Sequence, residues 1–258
     1  MNTTTPVLFA LLLSASAFAA DPIKTPFYEE TFNAAHGRLE LRNGAALGIP
    51  GTGVSGKPTD RAYIGSPSTT ENVPNGPTGV AIAPIAPDSM EAFTYTFWYY
   101  LDEQVPELQV PFTTASTMLL LTEKGFELRI ENSTTSPRQY VFSPGINGPL
   151  AGWRDTQKWI FASFSWNRAN NTCAVHQGTL QAAVTFMRTM TRPTPANATL
   201  PRIDIGRYPE TIGNTYRNYD RPLAGRMDNF RVFDRVLNTV ELEQIRKADL
   251  ANEPVKLN

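Results

Sequence analysis

Apolar positions along this chain recur mostly with a period of two, in short segments separated by turn residues. Residues 93–101 (FTYTFWYYL) are the clearest case, aromatic and β-branched throughout. Alternation puts Phe93, Tyr95, Phe97 and Tyr99 on one face and Thr94, Thr96, Trp98 and Tyr100 on the other. Similar patterns predict strands over 37–42, 61–64, 117–122, 125–131, 159–166, 172–176, 182–190 and 202–206. Residues 80–85 are apolar but interrupted by Pro84, which predicts an edge strand or an extended segment. A last strand is predicted over 227–233, with Phe230 and Val232 facing one way and Arg231 and Phe233 the other. The period then changes. Asn238 is placed to cap a helix, and Glu241, three residues on, completes a capping box. Leu237 before the cap and Leu242 at the fourth helical position are spaced for a hydrophobic staple. The pattern predicts an all-β chain, a two-sheet antiparallel sandwich, closed by a strand, a tight corner and one short α-helix.

Composition narrows the setting. Residues 1–20 carry no acidic or basic side chain, are apolar over 7–13, and place Ala17 and Ala19 where signal peptidase requires small residues. This predicts a secretory signal over 1–19, a single domain over 20–258, and a secreted, extracellular or periplasmic location. The apolar run is too short to span a bilayer, so no membrane insertion is expected after cleavage. A lone cysteine, Cys173, excludes an intramolecular disulfide and a Cys-based zinc site. It is expected to be buried in a strand. Net charge is −1 with the two signs interspersed, which offers neither a nucleic-acid stripe nor a polybasic membrane patch. The 21 prolines fit short strands joined by many turns. Asn132, Asn170 and Asn197 each begin an Asn-x-Thr/Ser triplet and mark expected surface loops.

Several landmarks stand in a definite order: Phe93-Thr-Tyr-Thr-Phe-Trp, Trp159-Ile-Phe-Ala-Ser, Val175-His-Gln-Gly, Arg202-Ile-Asp-Ile-Gly, then Gly225-Arg-Met-Asp-Asn-Phe-Arg-Val-Phe and Leu237-x-x-x-Glu-Leu. Together they resemble the laminin-G-like, concanavalin A-like jelly-roll family over about 93–247. Val175-His-Gln-Gly departs from the family's Tyr-x-Asn-Gly, and the resemblance before Phe93 is thin. The family consists mainly of extracellular recognition modules, with enzymes as a large minority. It implies a structural Ca²⁺ held by a closing-strand carboxylate and oxygens from the N-terminal segment, which maps onto Asp228 and onto Glu30 or Glu29. Calcium takes six to eight oxygens, many of them backbone carbonyls.

Catalysis has few candidates. Some relatives carry Glu-x-Asp-x-Glu, and Glu127-Leu-Arg-Ile-Glu131 supplies both glutamates with Arg129 in place of the aspartate. Residues four apart on a strand are separated by about 13 Å at Cα, whereas retaining hydrolysis brings its carboxyls to about 5 Å. Arg129 would also favour both charged forms. The competing reading is a half-buried strand with Phe126, Leu128 and Ile130 inward. A lyase of this fold would need Gln-Ile-His, and here His176 precedes Gln177. Gly-x-Ser-x-Gly, His-Glu-x-x-His and Walker motifs are missing.

Recognition is the broader expectation. Residues 207–221 (RYPETIGNTYRNYDR) gather Arg207, Tyr208, Tyr216, Arg217 and Tyr219, and Trp153 lies in a Gly-containing turn. Aromatic faces and Arg suit sugars and protein surfaces alike, and the same tyrosines would equally serve as a lid on the sandwich. The sequence therefore predicts a secreted, non-catalytic module for a glycan or an extracellular protein, with a structural calcium. A divergent glycan-active hydrolase or lyase, or a purely structural envelope component, is the alternative.

Overall fold

The structure is a computed structural model, and it describes residues 25–33, 39–42, 44–65, 79–83, 85, 88–102, 109–114, 116–122, 125–131, 139–142, 152–191, 203–205, 210–212 and 223–257. The first strands in chain order are β1 (Tyr28–Glu30), β2 (Glu40–Arg42), β3 (Ala46–Leu47), β4 (Tyr63–Ile64), β5 (Val80–Ala83) and β6 (Asp88–Met90). The central ones are β7 (Ala92–Leu101), β8 (Gln109–Thr113), β9 (Thr117–Thr122), β10 (Gly125–Glu131), β11 (Gln139–Phe142) and β12 (Trp159–Asn167). Then come β13 (Thr172–Thr179), β14 (Thr185–Thr191), β15 (Ile203–Ile205), β16 (Glu210–Ile212), β17 (Gly225–Phe233) and the helix α1 (Thr239–Ala251).

Two antiparallel sheets form a sandwich. The first runs β14-β13-β12-β7-β17-β4-β3, with β1 added on β17, and the second runs β11-β10-β9-β8-β16-β5-β2. The strand interrupted by Pro84 ends at Ala83 and lies between β16 and β2. It is therefore an interior strand, not an edge: the proline falls beyond the paired residues, so no ladder bond is lost.

The alternation of β7 sorts its side chains into two cores. Phe93, Tyr95, Phe97 and Tyr99 point between the sheets, where they meet Phe112, Leu119, Phe126 and Leu128 of the second sheet and Phe230 of β17. Trp98 points the other way, into a smaller core with Phe161, Phe233, Leu237, Leu242 and Ile245, where α1 packs on the outer face of the first sheet. That explains why a strand at the centre of a sheet is apolar on both faces. Trp166 and Cys173 are also in the inter-sheet core, and burial pushes the Cys173 thiol well above its ordinary value.

The helix begins as its sequence requires. Asn238 Oδ1 accepts from the Val240 and Glu241 amides, and Glu241 Oε2 accepts from the Asn238 amide at 2.9 Å. Leu237 and Leu242 are both buried in the outer core. Gly225 has a different necessity: a Cβ there would stand 1.9 Å from the Tyr100 carbonyl oxygen, so only glycine lets β17 enter beside β7.

Candidate functional site

Glu30 and Asp228, the carboxylates that the family resemblance pairs for calcium, leave the first sheet on opposite faces. Glu30 pairs with Phe230 and shares the inner face with Tyr28, and its Oε1 accepts the Phe32 amide at 2.9 Å. Asp228 points outward, because the irregularity between Asp228 and Arg231, with Asn229 at φ 50°, inserts one residue before Phe230 resumes the inner face. Its Oδ2 accepts the Val54 amide at 2.8 Å and its Oδ1 accepts the Asn229 amide at 2.7 Å.

The neighbour that Asp228 does have is Asp60. Asp60 Oδ2 accepts the Ser55 amide at 2.7 Å, so the two carboxylates hold consecutive amides of one loop. Burial, and then the charge of Asp60, push the Asp228 carboxyl well above the usual carboxylate range. Asp60 Oδ1 is buried and has no hydrogen-bond partner among the described residues. Two adjoining buried carboxylates with an unsatisfied oxygen match the hard donors that calcium prefers. Among the described residues no three His, Cys, Asp or Glu side chains gather around one point. The remaining ligands would therefore be backbone carbonyls and water.

Farther along the outer face, Arg231 is almost fully buried between Glu29, 2.5 Å from its Nε, and Asp249 of α1, 2.8 Å from its Nη2. Trp98 Nε1 donates to Asp249 Oδ2 at 2.8 Å. Burial holds the Asp249 carboxyl above its ordinary value even with Arg231 beside it. Neither Asp60 nor Asp249 was distinguishable in the sequence, because nothing local marks them; their roles come from a loop and a helix folding over one sheet face.

Glu127 lies on the outer face of the second sheet, paired with Arg129 through Nε–Oε1 at 2.5 Å. Phe126, Leu128 and Ile130 fill the core, as the half-buried strand reading requires. Glu131 has its backbone in β10, and its side chain lies outside the described residues, as do residues 1–24, Asn132, Asn197, Arg207, Tyr208, Tyr216, Arg217 and Tyr219. Asn170 is exposed in the 168–171 turn. Trp153 is half-buried: its ring packs 6.1 Å from that of Phe126, and its carbonyl accepts the Tyr99 hydroxyl at 2.8 Å.

An open cleft of about 550 Å³ lies at the end of the first sheet, where Tyr100 and Trp159 of its outer face meet Ile160, Gln177 and Thr179 of its inner one. Its floor includes Tyr100 and Trp159, which are opposite one another in the β7–β12 register with ring centroids 5.5 Å apart and planes at 58°. One wall is the turn carrying Asp155, Gln157 and Lys158, and the other is the end of β13 with Gln177, Thr179, Leu180 and Gln181. Gln157 adopts a left-handed backbone, φ 58°, and its amide donates to the Leu101 carbonyl at 2.7 Å. Such a conformation in a residue other than glycine is costly and must be held by its surroundings. The Arg226 guanidinium lies over the Tyr100 ring, 4.7 Å from its centroid. No local pattern marks the pair, because β7 and β12 are far apart in sequence and become neighbours only in the folded sheet.

The comparisons agree with this architecture. The family model described as concanavalin A-like lectin/glucanases superfamily matches residues 75–243. No curated protein matches the chain in sequence. Domain 4 of AbnA, an extracellular arabinanase of Geobacillus stearothermophilus solved in complex with arabinotriose, is similar at TM-score 0.53 and 12% identity, over 87% of this chain and 99% of that one. The receptor-binding domain of botulinum neurotoxin type G is similar at TM-score 0.50 and 10% identity, over 87% of this chain but only 51% of that one. At such identities the likeness is one of fold. No helix among the described residues is long and apolar enough to cross a membrane.

Proposed function

The chain belongs to the concanavalin A-like lectin/glucanase superfamily, and from that premise we propose that it is a secreted, non-catalytic module that binds carbohydrate in the Tyr100–Trp159 cleft. The observation that carries this reading is the cleft's lining: the aromatic residues Tyr100 and Trp159, together with Gln157, Gln177, Thr179 and Gln181. Amides and hydroxyls both donate and accept, which is what a sugar's hydroxyls require, while ring surfaces take up its C–H faces. The fold it shares with an arabinanase domain solved with arabinotriose supports the same reading.

A hydrolase is less well supported. Glu127 is committed to an ion pair with Arg129 at 2.5 Å on the outer face of its sheet, and residues four apart on a strand stand about 13 Å apart at Cα, too far for a retaining pair. Secretion is supported by the apolar, uncharged residues 1–20. A structural calcium at Asp60 and Asp228 is supported by their mutual repulsion and the unpartnered Asp60 oxygen. A glycan array and a reducing-sugar assay on the purified protein test the function together. Binding without turnover is the expected result. Turnover that disappears in Glu127→Gln would replace this reading with an enzyme, and a folded protein silent in both assays would leave it without support.

A further inference from the structure

Building on the reading of the cleft as a glycan site, we propose that it selects neutral glycans over acidic ones, with Asp155 as the residue that enforces the choice. Among the described residues, Lys158 and Asp155 are the only charged side chains lining the cleft. They stand 3.0 Å apart, Nζ to Oδ2, so the wall presents one positive and one negative charge at nearly the same place. A uronate or sialate carboxylate entering there gains from Lys158 about what it loses to Asp155, so nothing repays the water it gives up, a cost that a neutral sugar does not carry. The cation beside the floor is answered as well: Arg226 lies against the Tyr100 ring, with its Nη2 3.5 Å from Asp102. Everything else polar in the lining is a neutral amide or hydroxyl.

The Lys158–Asp155 pair has little to do for the fold. Its side chains are 68% and 46% exposed, and pairs of that kind contribute almost nothing to stability. Its position is nonetheless fixed. The Asp155 amide donates to the Gly152 carbonyl at 2.9 Å, and Gly152 takes a left-handed φ of 87° that closes the turn. A Cβ at Gly152 would lie 3.2 Å from Asp155 Oδ2, so the carboxylate rests against the one residue small enough to admit it. The turn thus keeps a counter-charge beside Lys158 at the mouth of the cleft.

Calorimetry can test this with arabinotriose, xylotriose and cellotriose as neutral probes, and trigalacturonate and 3′-sialyllactose as acidic ones. The wild-type protein should bind at least one neutral probe and both acidic probes more weakly. Asp155→Asn leaves Lys158 unopposed: the ratio of acidic to neutral affinity should rise about three- to tenfold at low salt, and that gain should shrink as salt is added. The double variant Gln157→Ala/Gln181→Ala should lower neutral affinity. Acidic probes binding wild type as tightly as neutral ones, or no acidic gain in Asp155→Asn, would overturn the selectivity while the glycan reading stands. Neutral binding untouched by the double variant would move the site elsewhere and also overturn it. If no probe binds the folded protein, the glycan reading fails and takes this inference with it.

Discussion

Trp98 Nε1 donates to Asp249 Oδ2 at 2.8 Å, joining the central strand of the first sheet to the C-terminal helix across 151 positions of sequence. The same carboxylate faces the guanidinium of Arg231, which is 2% exposed. One side chain thus satisfies an indole N–H and balances a buried cation. Asp249→Ala would leave Arg231 with Glu29 as its ion-pair partner and two long bonds to Asn229, and Trp98 Nε1 without its acceptor. Removing one partner of a buried pair costs about 3–5 kcal/mol. Urea denaturation of the variant should show a loss of that size, and an unchanged midpoint would mean that α1 is held by packing alone.

His176 gives the fold a pH dependence of known sign. Its ring lies against Phe186, its Nδ1 is buried without a hydrogen-bond partner, and burial lowers its pKa from 6.5 to about 4. Between those values the unfolded chain binds the proton and the folded protein does not. The neutral ring's contribution is therefore complete above about 6.5 and lost as pH falls through about 4. At about 1.36 kcal/mol per unit, that span is worth about 3 kcal/mol, and solvent screening of the partly accessible ring brings the expected loss to on the order of 2 kcal/mol. Thermal melts at several pH values should show a shallower acid slope for His176→Leu than for wild type; parallel slopes would assign the acid sensitivity to other groups.

Ser163 lies directly opposite His176 on one side and Thr96 on the other, so the three form a row across β13, β12 and β7. The hydroxyls of Thr96 and Ser163 are buried and make no hydrogen bond among the described residues. Removing a buried hydroxyl that has no partner relieves its desolvation penalty. Thr96→Val and Ser163→Ala should therefore be neutral or stabilising by up to about 1 kcal/mol. A clear loss of stability on chemical denaturation would indicate that ordered water satisfies them.

The frame of the sandwich was legible because it is written in local patterns. Alternation divided Phe97 from Trp98 between two cores, and the spacing of Leu237, Asn238, Glu241 and Leu242 fixed the start of the helix. What depended on long-range placement was hidden. An inserted residue at Asn229 decides that Asp228 faces outward, away from Glu30, and no sequence pattern announces a bulge of that kind. The 207–221 stretch drew attention by its composition, yet the described cleft is built from Tyr100 and Trp159, residues that read individually as ordinary strand aromatics. Only the β7–β12 pairing makes them a floor.

The cap offers a calibration of these energies. Asn238 answers two helical amides, and Glu241 returns the bond to Asn238. Asn238→Ala should cost about 1 kcal/mol by chemical denaturation, with the β-sheet signal in circular dichroism intact. A loss several times larger would show that the start of α1 also holds the outer core together.

Asp60 and Asp228 lead to the most direct test of a metal. Both carboxylates are buried, Asp60 raises the pKa of Asp228, and the amides of Val54, Ser55 and Asn229 offset only part of the repulsion. Without a cation, a raised carboxyl contributes stability that is full below its ordinary value and lost as pH rises through the folded-state value. EGTA-treated protein should therefore be weakened at neutral pH. A divalent ion between the two groups reverses this, since binding only the folded state stabilises it by about 2.7 kcal/mol at a hundred times Kd. Calcium should raise the melting temperature of the wild type, and Asp60→Asn should abolish most of that increment while melting at or above the EGTA-treated wild type. If calcium and EGTA give the same melting temperature, the carboxylate pair carries no ion and its repulsion is borne by the fold.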